Sequence, residues 1–371
     1  MSDTTLFEIF LVCAPGLEPV LLEEVVEKGF SDPQQVPGGV TVQGNWPEVW
    51  RANLEVRGAA RVLARIGSFM AFHLAQLDKR ARKFPWGAVL RTDVPVRVQV
   101  TCKASKIYHA GAANERVVTA LRESHGMTVS DEAALVLKVR IYDNQVTISI
   151  DTSGEALHKR GHKEAVGKAP MRENLAAMFL RQCGYDGREP VLDPMCGSGT
   201  FLIEAAEIAA GLYPGRSRSF AFEQLASFDP EIWKQMRAGA ETAALTPRFF
   251  GSDRDQGAVR MATANADRSG VGGAIRFSCQ PAGDVVRPDG PPGLVIVNPP
   301  YGGRIGNKKL LYALYGTFGQ TMLARFKGWR VGLVTSEPAL AKATGLPWRP
   351  LGPPVAHGGT KIWLWQTPVL R

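Results

Sequence analysis

Several features that define common classes of protein are missing from this 371-residue chain. No apolar run approaches the roughly 18 residues that a membrane span needs, and no basic segment precedes the first apolar run, as it would in a signal peptide. The cysteines are few, odd in number and never arranged as CxxC, so neither structural zinc nor a disulfide framework is expected. They are Cys13, Cys102, Cys183, Cys196 and Cys279. We therefore expect a cytoplasmic protein without a metal site.

Positive charge is abundant but unevenly distributed. The chain has a formal net charge of +9, yet residues 1–56 carry 2 Lys/Arg against 9 Asp/Glu. Residues 57–116 carry 12 against 3, and residues 154–371 carry 27 against 18. Two basic segments behind an acidic one indicate a polyanionic partner such as nucleic acid. The alternative is that these side chains are solvated and only keep the protein soluble.

The first 150 residues alternate between strand and helix patterns. Apolar spacing and turn residues predict two small α+β modules. The first has a strand at 6–13, a helix at 16–29, a strand at 38–44 and a helix at 46–66. The second has a strand at 94–102, a helix at 114–124 and a hairpin over 134–151 that turns at Asp143-Asn144. A basic, glycine-containing connector follows over 153–170.

From residue 171 onward the pattern is that of a doubly wound parallel sheet. Predicted strands end at LDP (192–194), GSD (251–253) and VNPP (297–300), and each is followed by a turn or a helix. Ligands of such sheets bind outside the carboxyl ends of the strands. Asp193, Asp253 and Asn298 all fall there, so we expect them to line one site.

The stretch DPMCGSGT (193–200) is a glycine-rich turn between a strand and a helix. Gly197 and Gly199 allow the backbone to pass close to a ligand, and Ser198 or Thr200 can cap the helix. The stretch lacks the lysine of a Walker A loop and does not fit GxGxxG. Asp193 can receive a charged amino group, or form a local Asx turn.

Asp253 ends the second predicted strand of this sheet. Its carboxylate can accept from both hydroxyls of a ribose, or cap the following helix. Asp255 is the expected N-cap of that helix. A dinucleotide-binding fold would place an acidic residue about 20 positions after the glycine turn, and Asp253 lies much further along.

The stretch NPPYG (298–302) is an unusual way to end a buried strand. An amine attached to an aromatic ring is a poor nucleophile, because its lone pair is conjugated with the ring. Two fixed acceptors, the Asn298 side-chain oxygen and the Pro299 carbonyl, would turn that lone pair toward an electrophile. Pro299 and Pro300 fix the backbone in advance, and Tyr301 offers a stacking surface for a flipped base. An ordinary strand-ending turn is the alternative.

These motifs together resemble a known family. DPMCGSGT with NPPYG looks like the class I S-adenosylmethionine-dependent methyltransferases that act on amino nitrogens. HKRGHKEAVGKAPMRENLAAMFL (158–180) with LDPMCGSGTFLIEAA (192–206) is similar to the THUMP-containing RNA guanine-N2 methyltransferases, nearest the bacterial 23S rRNA branch. TCKASKIYHAGAANERVVTAL (101–121) looks like the THUMP motif.

The resemblance implies four segments. Residues 1–60 would be a ferredoxin-like module, 61–153 a THUMP domain that binds RNA, 154–168 a linker, and 169–371 a Rossmann-like methyltransferase domain with a seven-stranded, mostly parallel sheet. The same resemblance makes Lys103, Lys106, Tyr108 and His109 candidate RNA contacts, unless they only form a solvated helix start. Many relatives carry a second methyltransferase domain that this chain lacks, so that second activity is not expected.

The resemblance also implies a binding site for S-adenosylmethionine. Its adenine-contacting acid normally follows the third strand by about two residues, where this chain has Gln280-Pro281, and Asp284 comes later. Cys196 is interpreted as a packing residue, since amino-group methylation needs no covalent intermediate. The residues expected at the cofactor are Ala169, Pro170, Asp193, Met195, Cys196, Gly197, Ser198, Gly199, Thr200, Asp253, Arg254, Asp284 and Asn298.

The leading hypothesis is a monomeric RNA guanine-N2 methyltransferase acting on 23S rRNA. Alternatives with the same chemistry are a tRNA guanine-N2 methyltransferase and an enzyme that methylates adenine or cytosine in DNA, or a protein glutamine. A catalytically silent RNA-binding scaffold is the alternative from another class of function. In such a protein the glycine turn or the NPPY stretch would be expected to be altered, and both are intact in this sequence.

Overall fold

The computed structural model describes residues 6–163, 171–239, 245–246, 248–302 and 308–371. The chain divides into two compact units. The first comprises Met1–Cys13, Leu21–Leu157 and Arg218–Gly239, and the second comprises Ala14–Val20, His158–Ser217 and Ala240–Arg371.

The secondary structure alternates along the chain much as its sequence patterns indicate. The strands are β1 (Phe7–Val12), β2 (Ser31–Val36), β3 (Gly39–Gly44), β4 (Arg61–Met70), β5 (Val96–Lys103), β6 (Leu135–Tyr142), β7 (Gln145–Asp151), β8 (Val191–Asp193), β9 (Phe249–Asp253), β10 (Ile275–Cys279), β11 (Leu294–Val297), β12 (Arg330–Thr335), β13 (Val355–His357) and β14 (Thr360–Gln366). The helices are α1 (Glu18–Glu27), α2 (Trp46–Glu55), α3 (Leu74–Lys83), α4 (Ala110–His125), α5 (Glu173–Gln182), α6 (Thr200–Ala209), α7 (Pro230–Ala238), α8 (Gln256–Ser269), α9 (Lys308–Arg325) and α10 (Pro338–Ala343).

The first unit is built on one seven-stranded sheet with the order β2-β3-β1-β4-β7-β6-β5. Its strand pairs are antiparallel apart from β5 with β6. The hairpin predicted at Asp143-Asn144 is confirmed, and both turn residues have positive φ. The two predicted α+β modules therefore share a single sheet.

The helix predicted over 46–66 is wrong beyond Glu55. Val56 adopts an extended backbone and ends α2, and the backbone N–H groups of Arg57 and Gly58 donate to the buried Glu24 carboxylate. The chain then continues as β4, where Val62, Ala64 and Ile66 are buried and the residues between them are less so. Alternating burial is the strand pattern, and the arginines of this stretch concealed it.

A segment that follows α6 returns to the first unit. Residues 218–239 include α7, and the Phe222 ring stacks on Trp50 with centroids 6.0 Å apart. The Phe222 N–H donates to the Thr152 carbonyl at 3.1 Å. Residues 218–239 of the long insertion between β8 and β9 thus pack within the first unit.

The second unit contains the predicted Rossmann-like sheet, with the order β10-β9-β8-β11-β12-β14-β13. The first five strands are parallel, and β14 pairs antiparallel with β12 and β13. The sheet is therefore mixed, and mostly parallel as expected. Chain order reverses at β8, which lies between β9 and β11, and such a switch point is where ligands bind.

Candidate functional site

The three predicted strand-end residues lie at the carboxyl ends of three adjacent parallel strands. Asp193 ends β8, Asp253 ends β9, and Asn298 directly follows β11. Because β8 pairs with both β9 and β11, these ends meet at one edge of the sheet. The convergence that the sequence pattern indicated is confirmed at the level of topology.

The glycine turn between β8 and α6 is open where a ligand would pass. Gly197 has φ +53° and no heavy atom within 4 Å of a Cβ placed on it. Gly199 has φ +82°, and its added Cβ would lie 3.2 Å from that of Ala262 on α8. Gly197 therefore leaves room for a ligand, whereas glycine is needed at 199 because Ala262 packs close to it.

The prediction that Ser198 or Thr200 caps α6 is wrong. Gly199 is the N-cap, it provides no side-chain hydrogen bond, and Thr200 is the first helical residue. The Thr200 hydroxyl instead accepts from the Lys163 ammonium at 2.9 Å. The N–H groups of the first turn of α6 are therefore left without a side-chain cap, which suits an anionic group of a ligand.

Asp253 links the glycine turn to the next helix. Its Oδ2 accepts from the Gly197 N–H at 3.1 Å, and its Oδ1 accepts from the Asp255 N–H at 3.0 Å. Asp255 caps α8 through the Gly257 N–H, as predicted. Each carboxylate oxygen of Asp253 can accept a second hydrogen bond, so this geometry is compatible with ribose hydroxyls.

Asp193 is the most electrostatically perturbed carboxyl group of the site. It is buried, its Oδ1 accepts from the Met195 N–H at 3.1 Å, and burial together with the nearby Asp253 charge raises its pKa to about 8. A buried carboxyl group without a cation is kept protonated by desolvation. The local Asx turn is thus present, and the site also suits a cationic ligand group.

Met195 and Cys196 contribute packing to the turn. Met195 lies against the hydrophobic core that fills the β8, β11 and α9 region. The Cys196 thiol is buried, and burial raises its pKa far above the usual range. A thiol in that state is a poor nucleophile, which agrees with the interpretation of Cys196 as a packing residue.

The NPPY stretch presents an unsatisfied acceptor. The Asn298 Oδ1 atom is buried and has no hydrogen-bond partner among the residues that the structure describes. Pro299 is buried, and the Tyr301 ring packs against the same core as Met195. The Pro300 carbonyl accepts from the Tyr315 hydroxyl at 3.3 Å. The Asn298 oxygen lies at the carboxyl end of β11, the strand that pairs with β8.

Four residues that support the site were missed by the sequence analysis. Lys163 contacts Thr200, and Asn265 on α8 donates to the Ser198 carbonyl at 3.1 Å. Tyr315 on α9 and Thr335 at the end of β12 lie behind the NPPY stretch. Lys163 lies within the family-like stretch 158–180, whereas the other three come from distant parts of the chain and belong to no motif, so no local pattern could have identified them.

The remaining predicted cofactor residues are Ala169, Pro170, Arg254 and Asp284. Ala169 and Pro170 lie outside the described residues. Arg254 and Asp284 are both exposed, and Asp284 stands in a turn closed by its N–H and the Pro281 carbonyl. Their proposed contacts with the cofactor stay predictions.

The candidate RNA contacts lie in the first unit, between β5 and α4. Lys103, Lys106 and Tyr108 are exposed, as an RNA contact must be. His109 is the N-cap of α4 and accepts from the Ala112 N–H at 3.0 Å. His109 therefore caps the start of α4, and its predicted contact with RNA stays a prediction.

Comparison with known proteins assigns the family. The model of the family described as UPF0020, RMKL-like, methyltransferase domain, matches residues 160–348. The chain belongs to this family. A model described as the RlmL ferredoxin-like domain matches residues 8–63, so the ferredoxin-like character predicted for the N-terminal module is confirmed.

Solved structures similar to this chain cover nearly its whole length. A predicted N6-adenine-specific DNA methylase from Listeria monocytogenes has 29% identity and a TM-score of 0.87, with 98% of this chain and 97% of that chain covered. SMU.472, a putative methyltransferase, was solved with S-adenosylhomocysteine. It has 26% identity and a TM-score of 0.88, with 99% of both chains covered. TrmN from Thermus thermophilus, at 22% identity, has a TM-score of 0.76 with 99% of this chain and 100% of that chain covered, and shares the fold.

These findings confirm the class I methyltransferase fold and the predicted methyl donor, S-adenosylmethionine. The residues of the site fit that ligand. Among the described residues no cation pairs with the buried Asp193 carboxyl, Asp253 has spare acceptor capacity, and no described atom fills the space beside Gly197. Within the described residues no helix is long and apolar enough to cross a bilayer, and no cluster of potential metal ligands was found.

Proposed function

We propose that this methyltransferase transfers a methyl group from S-adenosylmethionine to the exocyclic N2 amine of a guanine in RNA, with 23S rRNA as the expected substrate. The observation that carries the proposal is the buried, unpartnered Oδ1 of Asn298. This hydrogen-bond acceptor follows β11, next to the strand that leads into the predicted cofactor site. An acceptor at that place suits an amino group as the nucleophile.

Two acceptors would orient the amine. The Asn298 Oδ1 atom and the Pro299 carbonyl accept its two N–H bonds, which turns the nitrogen lone pair toward the donor. S-adenosylmethionine supplies an electrophilic methyl carbon on a positively charged sulfur. As the N–C bond forms, the S–C bond breaks and its electron pair stays on sulfur. The alkylated nitrogen then loses a proton to solvent, so no strong base is required.

The remaining residues bind and position the two ligands. Asp193 would receive the ammonium group of the donor, and Asp253 its ribose hydroxyls. Tyr301 would stack on the flipped guanine. Stacking of this kind contributes about 1–3 kcal/mol to the binding of a base. The Tyr315 hydroxyl donates a hydrogen bond to the Pro300 carbonyl. This bond would keep the NPPY backbone in place before the substrate binds.

RNA is favoured as the substrate because of one basic segment within the first unit. Residues 57–116 carry 12 Lys/Arg against 3 Asp/Glu, and Lys103, Lys106 and Tyr108 are exposed within that stretch. A basic segment that precedes the methyltransferase unit in the chain suits a polyanionic substrate. We propose a THUMP-like role for residues 61–153, with a linker at 154–168 and the methyltransferase domain at 169–371.

Methylation of adenine N6 in DNA is the second candidate. It is favoured by the similar Listeria monocytogenes protein, described as a predicted N6-adenine-specific DNA methylase. The geometry at Asn298 suits either amine. Duplex DNA, however, offers no unpaired base to stack on the exposed Tyr108 ring.

Methyl transfer to defined nucleic acids tests the proposal. The purified chain is incubated with isotopically labelled S-adenosylmethionine and, separately, unmodified 23S rRNA, tRNA and duplex DNA, followed by digestion and mass spectrometry of the nucleosides. We expect N2-methylguanosine from rRNA. N2-methylguanosine from tRNA alone would change the RNA assignment, N6-methyladenine from DNA would overturn the RNA proposal, and no product from any of them would favour a scaffold.

A further inference from the structure

One carboxylate near the NPPY stretch forms no bond within the fold. Glu337 follows β12 and directly precedes α10, yet its side chain makes no capping hydrogen bond with that helix. The residue is exposed, and among the described residues its carboxylate has no hydrogen-bond or ion-pair partner. A carboxylate that neither caps a helix nor pairs with a cation keeps its full capacity to accept hydrogen bonds from a ligand.

The second sheet places Glu337 on the side of Asn298 that lies away from the proposed methyl donor. β11 lies between β8 and β12, and the donor site is proposed at the ends of β8 and β9. Val297 pairs in register with Leu333, so the residues after β11 and those after β12 leave the sheet at the same edge. A base whose amine is held at Asn298 and points toward the donor would therefore extend its ring toward the end of β12.

A chain of hydrogen bonds ties Glu337 to the backbone of the NPPY stretch. The Glu337 N–H donates to the Thr335 hydroxyl at 3.1 Å, and that hydroxyl lies 3.3 Å from the Tyr315 hydroxyl. The Tyr315 hydroxyl lies 3.3 Å from the Pro300 carbonyl oxygen. Burial is the main cause of the raised pKa of Tyr315, and the charge of Glu337 adds to it. The carboxylate therefore lies within electrostatic reach of the hydroxyl that contacts this backbone.

Guanine and adenine differ at the ring nitrogen beside the amine to be methylated. In guanine the N2 amine is next to N1–H, which is a hydrogen-bond donor. In adenine the N6 amine is next to N1, which carries a lone pair and can only accept. An ionised carboxylate is an acceptor without a proton to donate. A carboxylate beside the bound amine would thus attract guanine N1–H and repel adenine N1.

We propose that the Glu337 carboxylate accepts a hydrogen bond from the N1–H of the target guanine and so selects guanine over adenine. The inference rests on the proposed function and names the residue that determines its base specificity. Asn298 and the Pro299 carbonyl would hold the amine, and Glu337 would hold the neighbouring ring nitrogen. A hydrogen bond to a charged group is stronger than one between neutral groups. The same charge acts against the wrong base, because adenine would place a lone pair against it.

Single-turnover methyl transfer to RNAs that differ in one base tests this role. The guanosine that the wild-type chain methylates is located in 23S rRNA or tRNA by mass spectrometry of nuclease fragments. RNAs carrying guanosine or 2-aminopurine at that position are then assembled by ligation. 2-Aminopurine keeps the exocyclic amine but has an N1 without a hydrogen. We expect wild type to prefer guanosine by about 30-fold or more.

Two substitutions of Glu337 should weaken this preference. Glu337→Gln replaces the charge with an amide that can also donate, and Glu337→Ala removes the acceptor. Each should lower the rate on guanosine by about tenfold or more, since a hydrogen bond to a charged group is lost. The rate on 2-aminopurine should stay unchanged or rise, so the ratio of the two rates should also fall by about tenfold or more.

Another exposed carboxylate of the same unit provides the control. Asp289 lies in the segment before β11, at the opposite end of that strand from Asn298. Asp289→Asn should leave both rates unchanged. Affinity for S-adenosylhomocysteine, measured by calorimetry, and the melting temperature should stay at wild-type values in the Glu337 variants. These two measurements separate a loss of base recognition from unfolding.

The outcomes distinguish this inference from the proposed function. If wild type forms N2-methylguanosine and the Glu337 variants keep its preference over 2-aminopurine, the role of Glu337 is overturned while the function stands. Equal losses on both bases would also overturn it, because they would indicate a general structural effect. If wild type forms no N2-methylguanosine, or methylates adenine N6 instead, the proposed function and the role of Glu337 fail together.

Discussion

The Tyr315 hydroxyl oxygen lies 3.3 Å from the Pro300 carbonyl oxygen, inside the core beneath the NPPY stretch. The same hydroxyl lies 3.3 Å from the Thr335 hydroxyl, which accepts from the Glu337 N–H. A phenol carries one hydrogen and a carbonyl can only accept, so Tyr315 donates to Pro300 and Thr335 donates to Tyr315. Burial raises the pKa of Tyr315, which keeps it a donor. This chain of hydrogen bonds fixes the backbone next to Asn298.

Tyr315→Phe should lower kcat while leaving cofactor affinity intact. The variant keeps the buried ring and removes the hydrogen bond, whose net contribution is about 1 kcal/mol, so we expect kcat to fall about fivefold. Tyr312→Phe, at an exposed position of the same helix, is the control and should behave as wild type. Steady-state kinetics and calorimetry with S-adenosylhomocysteine provide the measurement. A lower melting temperature with unchanged kcat would reduce Tyr315 to a purely structural role.

Asn298→Ala should separate binding from catalysis. The change removes the unpartnered acceptor and leaves the glycine turn untouched, so cofactor and RNA should still bind while turnover falls about 100-fold or more. Single-turnover methyl transfer with the enzyme in excess over RNA reports the chemical step. Near wild-type turnover in this variant would contradict the proposed orientation of the amine.

The layout of the second sheet could be predicted from local patterns, because each strand and its turn are contiguous in sequence. Asp193, Asp253 and Asn298 follow runs of apolar residues, and parallel strands necessarily bring such ends to one edge. What could not be predicted depends on contacts between distant segments. Tyr315 is one of several similar side chains on α9, and only the packed structure places its hydroxyl against Pro300.

The mistakes of the sequence analysis have physical causes. Arg51, Arg57, Arg61 and Arg65 recur near helical spacing, which hid the alternation of β4. The uncapped start of α6 was missed because Ser198 and Thr200 are good capping residues in isolation. In the structure Lys163 engages the Thr200 hydroxyl instead, and a tertiary contact of that kind overrides local preference.

Cofactor binding should release a proton from Asp193. In the ligand-free chain burial raises its pKa to about 8, and a nearby ammonium group would favour the ionised form. Affinity for S-adenosylhomocysteine should therefore rise between about pH 6 and 8, by at most tenfold per pH unit, and level off above the pKa. Calorimetry in buffers of different ionisation enthalpy measures the released proton. Asp193→Asn should abolish it, and a pH-independent affinity in wild type would contradict the assignment.

The raised pKa of Asp193 also makes the stability of the folded, ligand-free chain depend on pH. Stability falls with rising pH, whereas cofactor affinity rises. In the unfolded chain the Asp193 carboxyl ionises near its ordinary value of 3.8, whereas in the folded, ligand-free chain it stays protonated up to about pH 8. The folded state thus binds more protons in this window, so this residue's contribution to stability falls as pH rises from about 4 to 8. Melting temperatures of wild type and Asp193→Asn across this range should converge at low pH and diverge as the pH rises.

Arg160 forms a buried ion pair with Glu204 on α6, the helix that follows the glycine turn. The Arg160 Nε atom lies 3.0 Å from the Glu204 Oε1 atom, and the side chains are 2% and 1% exposed. Arg160→Met removes a cation that is paired with a buried carboxylate, so it should destabilise the fold by about 3–5 kcal/mol. The double variant Arg160→Met/Glu204→Leu should recover most of that loss, because both charges are then gone. Arg188→Met, from the exposed pair with Asp186, is the control and should leave the calorimetric melting temperature unchanged. Equal melting temperatures for wild type and Arg160→Met would mean that the pair contributes nothing to holding α6 beneath the glycine turn.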